Sequence, residues 1–261
     1  MNQHRRSNTR LRFTLAFAAL VGAAALVLTG FTFLPGTPTP GVGSSPAPLG
    51  RPTPLATASS SYTFLDASGT RPVSYDPCRA IHYVTRTANQ PEQGPELVAE
   101  AIAAASHATG LVFINDGATD ENPSARRASF QRARYGDRWA PMLITWQTSA
   151  EDWRFTNNGL SDVLGVSASE SVKGAPGTPD AYVTGQLALN GPALQNMLSR
   201  DKRDAARAVV EHELGHILGL AHVSDPAQLM FEHETGAAYT YQAGDLAGLA
   251  QLGQGTCQPG I

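Results

Sequence analysis

Three histidines and one glutamate between residues 212 and 222 follow the pattern H-E-x-x-H-x-x-G-x-x-H, which suits a metal site. His212 and His216 are four residues apart, so on a helix they lie one turn apart on the same face. Both rings can then reach one zinc ion at about 2.0–2.1 Å. Gly219 can adopt a left-handed backbone conformation at little cost, which ends the helix and turns the chain back to His222.

The same pattern indicates a catalytic metal site rather than a structural one. Three protein ligands leave the fourth position around a tetrahedral zinc ion open for water. Glu213 neighbours the first ligand on the helix, so it can hold that water without binding the metal itself. One alternative is an ordinary helix in which these residues meet by chance. Another is a zinc protein that has lost turnover, and the presence of Glu213 argues against it.

The pattern resembles the signature of the metzincin zinc endopeptidases. That family has a methionine turn downstream, and here Met230 follows His222 after a short polar stretch. Glu232 stands where some metzincin families carry a tyrosine, which favours the matrixin-like branch. The resemblance covers roughly residues 75–257. It implies an α+β fold with a twisted, mostly parallel five-stranded sheet, an active-site helix, the Met turn and a C-terminal helix.

The resemblance also implies the roles of individual residues in peptide-bond hydrolysis. His212, His216 and His222 would bind one Zn²⁺ ion, Glu213 would be the general base, and Met230 would form an apolar floor under the ligands. Substrate would lie along an edge strand whose small side chains admit a peptide backbone; its residues are Gly165, Val166, Ser167, Ala168 and Ser169. Tyr239 and Tyr241 are candidates for lining the adjacent pocket, with ordinary packed aromatics as the alternative.

Two other functions are compatible with a zinc site in this sequence. One is a zinc-containing cell-surface binding protein without turnover, and the other is a hydrolase of short wall-type peptides. The net charge of −3 is too small and too mixed to indicate nucleic-acid binding. We therefore expect a monomer whose partner is a peptide or protein substrate.

Cys78 and Cys257 are the two cysteines of the chain and lie near the ends of its folded part. In an oxidising compartment they would most simply form one disulfide. The alternative, implied by latent matrixins, is that Cys78 inhibits the enzyme as a thiolate on the zinc. The sequence around Cys78 does not match the switch motif of that family.

The N-terminal part of the sequence predicts a membrane-targeting segment followed by a linker. Residues 1–12 form a basic head, and residues 13–34 carry no charge over a length that can cross a bilayer. Positive charge before the span keeps the head in the cytoplasm, so we favour a signal anchor; a cleaved signal peptide is the alternative. Residues 35–61 are rich in Pro, Gly, Ser and Thr and predict a flexible stalk. Residues 62–261 would form the catalytic domain, extracytoplasmic on a single-pass membrane protein or secreted.

Apolar periodicity predicts the order of the elements that position the site. Strands are expected over residues 80–86, 111–114, 141–146, 164–169 and 181–190. Helices are expected over residues 95–109, about 202–220 and 244–252, the second of these carrying the zinc pattern.

A charged loop follows the second predicted strand. Its carboxylates could hold calcium through oxygen ligands, with turn formation and solvated charge as the alternative; they are Asp116, Asp120 and Glu121. Its arginines could favour acidic substrates or simply face solvent; they are Arg126, Arg127, Arg132, Arg134 and Arg138.

Overall fold

The computed structural model describes residues 43–156, 163–232 and 236–261, all of which belong to one compact unit, Pro35–Ile261. Its strands are β1 Ala67–Ser68, β2 Arg71–Pro72, β3 Ser74–Tyr75, β4 Ile81–Arg86, β5 Phe113–Ala118, β6 Met142–Gln147, β7 Gly165–Val172 and β8 Ala181–Asn190. Its helices are α1 Gly94–Thr109, α2 Arg132–Tyr135, α3 Gly191–Ser199, α4 Arg203–Leu218 and α5 Ala243–Leu252, and Trp153–Phe155 forms a 3₁₀ turn.

Five long strands form a twisted sheet in the order β5-β4-β6-β8-β7. Strands β5, β4, β6 and β8 are parallel to one another, and β7 runs antiparallel to β8 at the edge. Every residue of β6 is buried, as expected for a central parallel strand. The short β3 adds a sixth strand beside β8. The predicted mostly parallel five-stranded sheet is therefore confirmed, with one small addition.

Helices α1 and α4 pack against each other and, together with the sheet, enclose the main core. Leu97 of α1, Leu214 and Ile217 of α4 and Trp146 of β6 are each at most 1% exposed. Helix α5 packs against both helices and contributes the fully buried Leu249. The metal-site helix is thus held along most of its length by apolar contacts, which contribute about 1.5–3 kcal/mol for each large side chain fully buried.

Helix α3 is the main element that the sequence analysis missed. The Gly191-Pro192 pair reads as a breaker, yet both residues suit the first turn of a helix, where proline loses no hydrogen bond. The side chain of Asn190 caps this helix by accepting a hydrogen bond from the amide of Ala193 at 3.1 Å. The predicted strand over 111–114 begins two residues later, at Phe113.

Residues 43–61, part of the predicted stalk, donate backbone hydrogen bonds to the domain. Amides of Ser45 and Leu49 donate to the carbonyls of Cys78 and Pro77 at 2.6 and 2.9 Å, and that of Thr53 donates to His107 at 3.0 Å. Such backbone bonds need no apolar side chain, so composition does not reveal them. The predicted head, span and first part of the stalk, residues 1–42, lie outside the described residues.

No helix within the described part of the chain is long and apolar enough to span a bilayer.

Cys78 and Cys257 form a disulfide across 179 residues, with their Cα atoms 5.3 Å apart. The carboxylate of Asp76 accepts hydrogen bonds from the amide of Cys78 at 2.8 Å and from that of Gln258 at 3.2 Å, so it ties together both flanks of the bond. With its sulfur engaged in this way, Cys78 is not an inhibitory thiolate in this structure.

We predict that reduction of this disulfide destabilises the domain. Closing so long a loop stabilises by up to about 4–5 kcal/mol on the chain-entropy description. Urea unfolding with and without reductant should therefore give a lower midpoint in reductant. The double variant C78A/C257A is the control, since reductant should not move its midpoint. An unchanged wild-type midpoint under conditions that free both thiols would contradict the prediction.

Candidate metal centre

Helix α4 carries His212 and His216, and it ends shortly before the third histidine, His222. Gly219 ends the helix with a φ of 116°, in the left-handed region that favours glycine. Its amide bonds back to the carbonyls of Gly215 and His216 at 3.1 and 3.0 Å, and the amide of Leu220 bonds to Gly215 at 2.9 Å. The chain then turns and brings His222 back beside the helix.

The three imidazole rings converge on one point. The Nε2 atom of His222 lies 3.1 Å from that of His212 and 3.0 Å from that of His216. On the opposite side of each helical ring, Nδ1 of His212 lies 2.8 Å from the carbonyl of Leu229, and Nδ1 of His216 lies 2.7 Å from that of Leu220. Carbonyl oxygens only accept hydrogen bonds, so both Nδ1 atoms carry the proton and both Nε2 lone pairs point inward.

Burial keeps the helical histidines neutral. It lowers the pKa of His212 to about 4, with a further contribution from the neighbouring His216, and it also lowers the pKa of His216. Neutral imidazole is the form that binds a metal ion.

This donor set fits a divalent metal ion. Converging lone pairs on neutral rings repel one another unless a cation lies between them, and three imidazoles are a donor set that zinc accepts. Among the described residues a second group of donors meets at Asp76, Cys78 and Cys257, but both of its sulfur atoms are joined in the disulfide. The histidine group is therefore the candidate metal centre.

Glu213 is a buried carboxylate next to the first histidine, with 8% of its surface exposed. The hydroxyl of Ser167 donates to its Oε2 at 2.6 Å. Burial raises the pKa of Glu213 to about 7, although the Ser167 hydrogen bond and the charge of Arg154 act to lower it. Arg154 itself is held by the carboxylate of Asp152 at 2.6–3.1 Å.

Alternate residues of β7 lie against α4, which explains their small size. A Cβ atom on Gly165 would stand 2.5 Å from Cγ of Glu213, so only glycine permits this approach. The hydroxyl of Ser167 donates a hydrogen bond to the carboxylate of Glu213. The hydroxyl of Ser169 donates to the carbonyl of Ile217 at 2.7 Å. The side chains of these three positions thus fit the strand to the helix, and the role of the strand in substrate binding stays a prediction.

Met230 packs against α4 at Gly215, the residue before the second helical histidine. It is 1% exposed, and a Cβ atom on Gly215 would stand 2.6 Å from its sulfur. The amides of Leu229 and Met230 donate to the carboxylate of Asp245 at 2.7 and 3.2 Å, which fixes the turn. The sequence analysis missed Asp245; its position at N3 of α5, in a capping box with Gln242, was the available signal.

An upstream segment supports the turn that leads to His222. The amide of Leu65 donates to the carbonyl of Gly219, and the amide of Ala221 donates to that of Thr63, both at 2.8 Å. Phe64 pairs with Leu220 between these two bonds. Residues 63–65, which we call the N-terminal strap, therefore fix the backbone just before the third histidine, and no local sequence signal indicates this pairing.

The two candidate pocket tyrosines occupy different environments. Tyr241 is 5% exposed, and its hydroxyl donates to the carbonyl of Glu211 at 2.6 Å, so it is a packed aromatic. Tyr239 is 42% exposed and borders an open cavity of about 1140 Å³, together with Leu164, Phe155 and Ala205. Neither the histidines nor Glu213 line this cavity. Its lining residue Leu164 directly precedes Gly165, which contacts Glu213.

The carboxylates of the charged loop are engaged by arginines instead of converging on a cation site. Asp116 pairs with Arg138 at 2.7 Å and with His82 at 2.8 Å, and Asp120 pairs with Arg134. Glu121 is buried and accepts hydrogen bonds from several side chains; these are Arg127, Gln131 and Tyr135. The loop gives no support for calcium, and at least three of its arginines have internal partners.

The family model that describes matrixins matches residues 80–252, more than half of the chain. The matched segment contains the converging histidines, Glu213 and Met230, while the strap and both cysteines lie outside it. A search of curated proteins gave no significant match.

We predict that the strap contributes to metal binding through its backbone. Proline at position 65 removes the amide that donates to Gly219, while the side chain it replaces is 48% exposed and contributes little packing. Because one hydrogen bond contributes about 1 kcal/mol, L65P should weaken zinc binding roughly fivefold relative to L65A. Competition with a chromogenic chelator measures both affinities. Equal affinities for L65P and L65A would contradict a role for the strap.

Proposed function

The chain belongs to the matrixin family of zinc-dependent endopeptidases, and from that membership we propose how this protein uses its residues. His212, His216 and His222 hold the zinc ion, and Glu213 is the general base in peptide-bond hydrolysis. The observation that carries the proposal is that Nε2 of His222 lies 3.1 Å from Nε2 of His212 and 3.0 Å from Nε2 of His216, beside a buried carboxylate.

Zinc bound by these histidines supplies Lewis acidity, which polarises a carbonyl group and lowers the pKa of water to about 7. Glu213 accepts a proton from the attacking water while the oxygen of that water bonds to the scissile carbonyl carbon. The same carboxyl group then gives this proton to the leaving amine nitrogen as the C–N bond breaks. The carbonyls of Leu229 and Leu220 hold the rings of His212 and His216 in the orientation that the metal requires.

We further propose that substrate binds along β7. Within the described residues β8 is the one strand that pairs with β7, so the outer edge of β7 presents backbone donors and acceptors. The backbone of Gly165, Val166, Ser167, Ala168 and Ser169 would pair with an extended peptide. The cavity beside Tyr239 would receive a substrate side chain, whereas the burial of Tyr241 argues for a packing role.

An extracytoplasmic location is supported by the disulfide, because such bonds persist in oxidising compartments. It agrees with the basic head and uncharged span of the N-terminal sequence, whose role as signal anchor or signal peptide stays a prediction. The domain would begin at residue 62, with residues 43–61 packed against it.

We predict that the purified full-length chain cleaves a library of denatured peptides in a zinc-dependent manner. A chelator should abolish cleavage, and added zinc should restore it; mass spectrometry reads the cut sites. E213Q should retain zinc and lose about 10²–10⁴-fold in kcat, the usual contribution of general base catalysis. H222A should lose zinc. The control E96Q, which changes an exposed glutamate on α1, should keep full activity.

Each of the other outcomes identifies a different function. A folded, zinc-loaded chain that cuts nothing would indicate the binding protein, and activity confined to short peptides would indicate the wall-peptide hydrolase. Cleavage at an unchanged rate by E213Q would show that Glu213 is not the base.

A further inference from the structure

We propose that Ser167 is a positioning residue for Glu213: its hydroxyl fixes the carboxylate so that one oxygen faces the reacting water. The inference rests on the proposed function, since it matters only if Glu213 is the base. Ser167 Oγ donates to Glu213 Oε2 at 2.6 Å, the short distance typical of a hydroxyl bonded to a charged oxygen.

Glu213 needs such a partner because a glutamate side chain has several rotatable bonds. Fixing it costs conformational entropy, and an unfixed carboxylate would spend little time in the geometry that proton transfer requires. Among the described residues, the hydroxyl of Ser167 is the hydrogen-bond donor that contacts this carboxylate. Arg154 acts on it through its charge, since its Nε and Nη2 atoms are bound to Asp152.

The position of Ser167 is determined by the strand on either side of it. The backbone of β7 at Gly165 lies so close to Glu213 that a Cβ atom there would stand 2.5 Å from Glu213 Cγ. Ser169 bonds to α4 one helical turn beyond Glu213. These two contacts fix the register of β7 on α4. The hydroxyl of Ser167, which lies between them, is thereby placed against the carboxylate of Glu213. The bond occupies Oε2 and leaves Oε1 of Glu213 available for the water.

The strand that we propose to bind substrate thus also orients the general base. A substrate paired with β7 would lie on the same segment that carries Ser167, so one strand serves both substrate binding and orientation of the base. Nothing in the short-range sequence pattern indicates this link, because 46 residues separate Ser167 from Glu213.

The test compares S167A with the wild type in steady-state peptide cleavage by the full-length chain. Loss of one hydrogen bond to a charged group should lower kcat about tenfold, with KM and zinc content nearly unchanged. S167T retains a hydroxyl and S167V has nearly the same volume without one. S167T should recover most of kcat, and S167V should behave like S167A. S106A is the control, since it removes a hydroxyl bond of 2.7 Å on α1 and should leave kcat unchanged.

Several results would overturn the inference. They are a wild-type kcat for S167A, a rise in KM alone, loss of zinc from S167A, or equal activities for S167T and S167V. S167A should also cause no further loss in an E213Q background, because the hydroxyl then has no base to orient. An additional tenfold loss in S167A/E213Q would show that Ser167 acts elsewhere.

The same assay separates this inference from the function on which it rests. If E213Q cleaves as well as the wild type, the general-base role itself fails. If E213Q is inactive while S167A equals the wild type, only the positioning role fails.

Discussion

The left-handed backbone at Gly219 is the constraint on which the metal site depends. Its φ of 116° ends α4 directly after two histidines have been presented on one face, and it turns the chain so that the third returns to meet them. The same turn places the carbonyl of Leu220 against Nδ1 of His216 and offers the carbonyl of Gly219 to the strap. A larger residue would have to adopt this strained conformation. Its Cβ atom would also stand 3.2 Å from side-chain atoms of Leu252 and Tyr182. Helix termination, ring orientation and strap pairing therefore follow from one residue.

Two glycines allow close contacts with the helix. Gly165 lets β7 come against the side chain of Glu213, and Gly215 leaves room for the side chain of Met230. Each contact fixes a different functional group, since β7 holds the carboxylate and the Met turn supplies the carbonyl of Leu229 that orients His212. The Met turn is held in turn by Asp245 of α5. The metal-site helix thus has β7 on Glu213 and the Met turn on His212, with α5 holding the Met turn in place.

The sequence predicted what depends on local spacing and missed what depends on register between distant segments. The positions of His212 and His216 on one face follow from helix geometry alone, and the family match confirms the resemblance drawn from residues 212–230. Strong apolar patterns likewise located β6 and β8. In contrast, the bond between Ser167 and Glu213 and the pairing of Phe64 with Leu220 join residues far apart in the chain, where the partner is decided by how strands and helices dock. The backbone bonds of residues 43–61 belong to the same class, since composition carries no information about them.

Two buried glutamates differ in how many hydrogen-bond donors surround them. Glu121 and Glu213 are 6% and 8% exposed, so burial acts to raise the pKa of both. At Glu121 the hydrogen bonds from Arg127, Tyr135 and Gln131 outweigh burial, and its pKa falls below the usual range. At Glu213 one hydroxyl bond and a more distant arginine charge do not outweigh burial, and its pKa rises to about 7. A buried carboxylate with so few partners costs stability, because burial removes part of its hydration and one hydroxyl bond replaces only some of it. A fold can avoid that cost by adding donors, as it does at Glu121. Glu213 has few donors although it lies beside three converging imidazoles. This is explained if its second carboxylate oxygen must accept a proton from the attacking water.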